Sequence, residues 1–228
     1  SHTYPNLHIC DLSSLQSKLG RDKMFDSNIY VGTEMLLSVD ILPFVASRVM
    51  DIIGCLQGKF KKCLILDLDN TLWGGIVGDD GWENVQIGHG LGIGKAFTEF
   101  QEWIRKLRER GIILAVCSKN EERNAKEVFE KNPEMVLRLD DIAVFIANWD
   151  NKVDNIRKIQ RILNIGMDSI VFLDDNPFER NMIRENIPEI TVPELPRDPA
   201  DYLEFLYGEN LFETSSFSVS DSDRTRQY

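Results

Sequence analysis

Cys63-Leu64-Ile65-Leu66-Asp67-Leu68-Asp69-Asn70-Thr71-Leu72-Trp73 is the stretch whose reading decides the fold of this chain. It begins as an apolar run of strand length, which suits a strand buried on both faces of a parallel sheet, and it ends abruptly in two carboxylates. Acids add nothing to a core strand, but open α/β sheets bind ligands in the crevice above their strand ends. Like charges held this close raise each other's proton affinity unless a cation lies between them, so the spacing points to a metal. Oxygen ligands from one loop suit Mg²⁺, a hard ion that keeps several waters and bridges phosphates. The bland alternative is that Asp69 or Asn70 caps a following helix and Asp67 is a satisfied strand-end acid; the remainder of the chain weighs against it.

After this strand, residues 95 to 110 predict an amphipathic helix ended by Gly111, then a second apolar strand, Ile112 to Cys117, running into Ser118-Lys119-Asn120. A helix over 121–131 leads to a third strand, Ile142 to Ile146, followed by Asn151-Lys152 and a helix through Leu163. The fourth strand, Ser169 to Leu173, ends in Asp174-Asp175-Asn176, and Pro177 starts the next helix. Ile190 to Val192 reads as a short last strand and 199–207 as a terminal helix. Alternation of this kind predicts an α/β fold, a doubly wound, Rossmann-like parallel sheet with helices on both faces. Turn residues among Ile76, Val77, Trp82, Val85 and Ile87 predict a β-hairpin flap beside the acids. The run Gly88 to Gly94 is spaced G-x-G-x-G-x-G and follows no buried strand, so it reads as a loop rather than a dinucleotide site, with His89 on the surface.

The 228 residues are 43% hydrophobic and 28% charged, the balance of one main domain with appendages. A net charge of −11 argues against nucleic acid and anionic membranes as partners. Four cysteines (Cys10, Cys55, Cys63, Cys117) without paired or metal-ligand spacing read as free thiols in a reducing compartment. No apolar run reaches membrane-spanning length and the N-terminus lacks signal-peptide character, so a cytoplasmic location is expected. Residues 1–58 read as an N-terminal appendage, with a brief helix capped by Ser13 or Ser14 and a lead-in helix from Asp40 to Gly58. Ile41, Phe44, Val45, Val49, Ile52, Ile53 and Leu56 share one apolar face of the latter. A main domain over 59–208 follows, then a polar tail over 209–228; the chain reads as a segment of something longer.

Polar residues stand at the ends of four successive strands: Asp67, Asp69 and Thr71, then Ser118, then Lys152, then Asp174 and Asp175. Each alone is explained by helix capping or a solvated surface. Together they are what phosphoryl transfer through an aspartyl phosphate requires: a carboxylate to attack phosphorus, a metal and a lysine to neutralise the equatorial oxygens, and a second acid for the proton.

In this order the residues resemble the four motifs of the haloacid dehalogenase superfamily. The strings LDLDNTLWGGIVGDDG, LAVCSKNEE, NWDNK, LNIG and FLDDNPFER are similar to FkbH-like proteins, a likeness covering roughly residues 59 to 207. The resemblance implies that Asp67 is the nucleophile and a Mg²⁺ ligand, and that Asp69 is the general acid/base and lends its backbone carbonyl to the metal. Ser118 would hold the phosphoryl oxygens, Lys152 would stabilise nucleophile and phosphoryl group, and Asp174, with Asp175 through water, would complete the metal shell. Asn70, Thr71, Lys119 and Asn120 would face the substrate; Asn70 stands where many members have glycine. No interval between the motifs has room for a cap domain, so the site would be open to large substrates.

FkbH-like proteins imply removal of phosphate from 1,3-bisphosphoglycerate with transfer of the glyceryl group to an acyl carrier protein. A plain phosphatase on a phosphorylated sugar or acid, and a non-catalytic scaffold, are the alternatives. Cys117 is either a buried apolar cysteine or the thiol of an acyl relay, and Lys106, Arg108 and Arg110 are either a docking patch for an acidic carrier or a solvated helix face. The flanks resemble the end of an SGNH-hydrolase-like region and the lead into a missing acetyltransferase-like domain.

Overall fold

Cys63, Leu64, Ile65 and Leu66 are all fully buried in the computed structural model, which describes residues 7–212. They form β1 (Cys63–Leu66), the first of four strands with β2 (Ile113–Ser118), β3 (Ile142–Ala147) and β4 (Ile170–Leu173). All pair in parallel in the order β3-β2-β1-β4, so the strand that carries the first two acids lies inside the sheet, between β2 and β4. Contacts divide the described chain at residue 60 into two units.

In the N-terminal unit, α1 (Leu12–Leu19) is capped by Asp11, whose carboxylate accepts from the amides of Ser13 and Ser14, and it ends at Gly20 with φ +86°. The cap expected at Ser13 or Ser14 thus falls earlier, because a carboxylate outcompetes a hydroxyl that is already inside the first turn. Two short helices, α2 (Arg21–Met24) and α3 (Ser27–Thr33), precede a 3-10 turn at Val39–Ile41 and the lead-in helix α4 (Leu42–Leu56). Leu15, Met24 and Ile41 make a small core. The apolar face foreseen for α4 is only partly used: Ile41 is buried, whereas Phe44, Val49, Ile53 and Leu56 are exposed.

In the second unit, side chains alternate across the sheet as the pleat requires. Leu64, Leu66, Val116 and Val171 pack on one face with Phe97, Phe100 and Ile104 of α6 (Ile93–Glu109), which follows the single turn α5 (Val77–Asp80). The same layer holds α7 (Glu122–Lys131). On the other face, Cys63, Ile65, Ile113 and Phe172 meet Ile156 and Ile159 of α8 (Lys152–Leu163) and Ile183 of α9 (Pro177–Asn186). The terminal helix α10 (Tyr202–Glu209) returns to the α6 side through Tyr202 and Leu206. Each large aliphatic side chain so buried stabilises the unit by about 1.5–3 kcal/mol. No cap domain is inserted among the described residues.

Two expected β features, a hairpin and a short strand, do not form regular strands. The hairpin flap is reduced to one antiparallel bridge, Gly74 with Gln86, because the chain turns into α5 instead of pairing. Asp80 stabilises that turn by accepting from the Ile76 amide at 2.9 Å. Likewise Ile190–Val192 contributes only the bridge Val171–Thr191. Residues 88–92 run as a loop, as expected. Most of the polar tail, 213–228, lies outside the described residues.

Gly75 makes the turn into α5 possible. Its φ is +97°, and a Cβ there would stand 2.6 Å from Asp80 Oδ2. Gly75→Ala is therefore expected to cost about 1–2 kcal/mol in backbone strain alone and to lower Tm by a few degrees in thermal unfolding. Adding Asp80→Ala would relieve the clash while leaving the strain.

Candidate active site

Residues directly paired in a parallel sheet point their side chains the same way. Leu66 is in register with Val116 and with Leu173, so the next residues, Asp67, Cys117 and Asp174, emerge at one level on the α8 and α9 face. The bond from the Asp67 amide to the Leu173 carbonyl, 3.0 Å, carries the ladder one residue beyond the strand. Lys152 opens α8, where Asn151 caps the helix by accepting from the Val153 amide. Its Nζ donates to Asp67 Oδ1 at 2.8 Å and to Asp174 Oδ2 at 2.6 Å, all three side chains being buried. A cation at a helix N-terminus opposes the helix dipole; the two carboxylates outweigh that.

Burial by itself would make Lys152 easier to deprotonate, but the charges of Asp67 and Asp174 outweigh burial and raise its pKa, so it stays cationic. Asp174 is raised to about 7, first by burial and then by the charge of Asp67, against the pull of Lys152. The two shifts pull in opposite senses across one contact. Lys152 offsets part of the charge at 2.6 Å, yet burial and the charge of Asp67 together still leave Asp174 holding its proton more tightly than an ordinary carboxyl. Asp175 is raised too, by burial and then by Asp67. Ligand oxygens of Asp67, Asp174 and Asp175 lie within 4.8 Å of one another. Three hard carboxylates that one lysine leaves undercompensated fit a divalent ion such as Mg²⁺.

Asp69 is held apart from that cluster. Its Oδ1 accepts from Trp73 Nε1 at 2.9 Å and from the Val77 amide at 3.1 Å, and its Oδ2 accepts from Asn120 Nδ2 at 3.0 Å. Burial raises its pKa in spite of these donors. Asn120 also reaches the buried Ser118 Oγ at 3.2 Å, which ties the end of β2 to the second acid. Thr71 Oγ1 bonds the Asp175 amide and carboxylate, linking the β1 loop to the β4 loop. Asn70 adopts φ +56°, a left-handed conformation that asparagine tolerates better than most side chains. Its Oδ1 accepts from the Gly75 amide, and its carbonyl accepts from Tyr202 Oη at 3.2 Å.

One expected site residue turns elsewhere, and Cys117 takes the first of its two alternatives. Lys119 ion-pairs with Glu179 at 2.7 Å rather than standing free for substrate. Cys117 is fully buried among Ile65, Ala115 and Val153, and burial pushes its thiol up to about 12. That placement suits an apolar core cysteine and leaves no thiolate for an acyl relay. The sequence reading passed over Trp73, Tyr202 and Arg180. Arg180 is buried on α9 and donates to the carbonyls of Asp174 and Asp175 and to Glu194. Its traces in sequence are that it closes the string FLDDNPFER and stands three residues after the proline that starts α9. A cleft of about 770 Å³ opens beside Asn70 and Asp175, walled by Gln86, Phe97, Arg197 and Tyr202.

A family model for the N-terminal domain of FkbH matches residues 1–54, and one for NLI interacting factor-like phosphatases matches residues 62–200. The chain is similar to the crystal structure of the N-terminal part of the protein BF1531 from Bacteroides fragilis, described as containing a phosphatase domain complexed with Mg. The two are 72% identical with a TM-score of 0.91 over 95% of this chain, which spans 58% of that one. A HAD family enzyme from Bacteroides thetaiotaomicron aligns with 61% of this chain and 95% of its own, at 12% identity and a TM-score of 0.39. No curated protein matches significantly.

Proposed function

Because the chain belongs to the NLI interacting factor-like phosphatase family, whose model spans more than half of it, we propose that it is a Mg²⁺-dependent phosphatase of haloacid dehalogenase type working through an aspartyl phosphate. The observation that carries this reading is the contact of Lys152 with both Asp67 and Asp174, which holds one Asp67 oxygen and leaves the carboxylate two residues before a separately held Asp69. Asp67, Asp174 and Asp175, with the Asp69 carbonyl, would hold the metal, which when bound supplies positive charge to the phosphoryl oxygens. Asp67 attacks phosphorus. Lys152 keeps that carboxylate oriented and offsets charge in the transition state, while Ser118 and Thr71 bind phosphoryl oxygens. Asp69 gives its proton to the departing oxygen and then takes one from water.

The substrate reading is finer. The open cleft, the missing cap and the FkbH match at residues 1–54 favour a bulky acyl phosphate, with glyceryl transfer from 1,3-bisphosphoglycerate to an acyl carrier protein. Such a transfer would pass directly to the carrier, since Cys117 is shut in the core. The docking patch weakens on inspection: Arg108 pairs with Asp141 and Arg110 donates to the Phe212 carbonyl. A phosphatase on another phosphorylated sugar or acid fits the same cleft. In this reading 59–208 is the catalytic domain and 1–58 the end of a preceding region, in a cytoplasmic protein.

Hydrolysis of p-nitrophenyl phosphate by the chain is expected with Mg²⁺ and is expected to stop with a chelator. Turnover that is absent, or indifferent to the ion, would sink the reading. Mass spectrometry of a carrier protein incubated with the chain and 1,3-bisphosphoglycerate separates transfer from plain hydrolysis.

A further inference from the structure

Asp69 makes more hydrogen bonds than a proton shuttle needs. Oδ1 takes two donors, the Trp73 indole and the Val77 amide, which occupy both of its in-plane lone-pair directions. Oδ2 takes one, from Asn120, and so keeps one direction free. Turning the carboxylate about its Cβ–Cγ bond would break all three bonds. The indole cannot follow such a turn: Trp73 is wholly buried and packs edge-on against Phe129, with ring centroids 5.8 Å apart. Asn120, itself 3% exposed, is held in turn by Ser118 Oγ.

We propose that Trp73, together with Asn120, is a positioning residue that commits Oδ2 of Asp69 to proton transfer. The inference rests on the phosphatase reading above and deepens it by naming the working atom. In the first step an Asp67 oxygen bonds to phosphorus as the ester P–O bond breaks, and the departing oxygen takes the proton from Asp69 Oδ2. In the second, water passes a proton to the same Oδ2 while its oxygen bonds to phosphorus. The bond from Asp67 to phosphorus then breaks and inorganic phosphate leaves. A p-nitrophenolate is stable enough to depart with little help from a proton, whereas an alkoxide needs one in full. Misplacing Oδ2 therefore penalises the first step in proportion to how poor the leaving group is, which a general loosening of the fold would not do.

The test is single-turnover kinetics with enzyme in excess and saturating Mg²⁺, comparing p-nitrophenyl phosphate with glycerol phosphate for the unmodified chain, Trp73→Phe and Asn120→Ala. In both variants release of the alcohol from the alkyl ester is expected to fall about tenfold or more beyond any fall in p-nitrophenolate release. Equal losses on the two esters, or no loss on the alkyl ester, would overturn the proposal. Asn120→Ala carries the comparison should Trp73→Phe not fold. A second readout does not depend on activity. The ¹⁵N-indole resonance that disappears in Trp73→Phe is expected to move to the position of an unbonded indole in Asp69→Ala, and an unmoved resonance would remove the contact on which the proposal stands. If the unmodified chain hydrolyses neither ester, the phosphatase reading falls and the proton-transfer role falls with it, whereas activity with an unmoved indole resonance overturns the positioning alone.

Discussion

Asp67→Asn is expected to abolish Mg²⁺-dependent phosphatase turnover, by roughly 10⁴-fold or more, while leaving the chain folded. An amide cannot supply the attacking oxygen anion, yet its Oδ1 still accepts from Lys152, so the geometry at the end of β1 survives. The same change has a second consequence for the metal-free protein. Asp174 is raised to about 7 in the fold, by burial first and by the Asp67 charge second, whereas an unfolded aspartate titrates near 3.9, a typical value. Its folded pKa exceeds its unfolded one, so the native state binds the proton more tightly. The stability this confers is complete below the unfolded pKa and is lost as pH rises through the folded one. Between about pH 4 and pH 7 the metal-free chain should therefore lose stability with rising pH. Asp67→Asn removes the second cause and leaves the first, so its decline should be shallower. Thermal unfolding in chelator at pH 5 and pH 7.5 measures both slopes; a steeper fall in the variant would mean that Asp67 does not load negative charge onto Asp174.

Much of this site is legible in sequence because strand register does the work of assembly. Apolar runs that stop at Leu66 and Leu173, each followed by an acid, place Asp67 and Asp174 side by side once β1 and β4 pair in parallel, and that pairing follows from the alternation of strands and helices. Lys152 is legible for a similar reason, opening the helix that follows β3. Contacts made where the chain folds back on itself carry no such signal. Glycine and aspartate between Trp73 and Trp82 read equally well as hairpin turns or as the single turn α5, and only the turn brings Val77 to Asp69. The hydroxyl of Tyr202 reaches Asn70 across 132 positions of sequence, from a helix whose apolar pattern says only that it packs. Lys119, expected to face the substrate, instead pairs with Glu179 on α9, which no local pattern connects to β2.

Lys152→Met should be the most destabilising single change at the site. The lysine is the one cation paired with the carboxylates of Asp67 and Asp174 among the described residues, and neither acid has solvent to fall back on, with 6% and 0% exposure. Removing one partner of a buried ion pair costs about 3–5 kcal/mol, because the charge left behind stays desolvated. For a domain of this size that lowers Tm by roughly 6–20 °C. Turnover should fall at least about a hundredfold, since charge developing on the phosphoryl oxygens loses its fixed counter-ion. Two further measurements separate charge from packing. Mg²⁺ should restore more stability to Lys152→Met than it adds to the unmodified chain, because a divalent ion answers the same surplus. Lys152→Met with Asp174→Asn should recover part of the lost stability without recovering activity, for neutralising both halves of a buried pair is far less costly than stripping one. A loss below about 1 kcal/mol in the single variant, the scale of a solvated surface pair, would mean that the acids at the strand ends are already neutral or hydrated, and a site built to grip a cation would lose its physical basis.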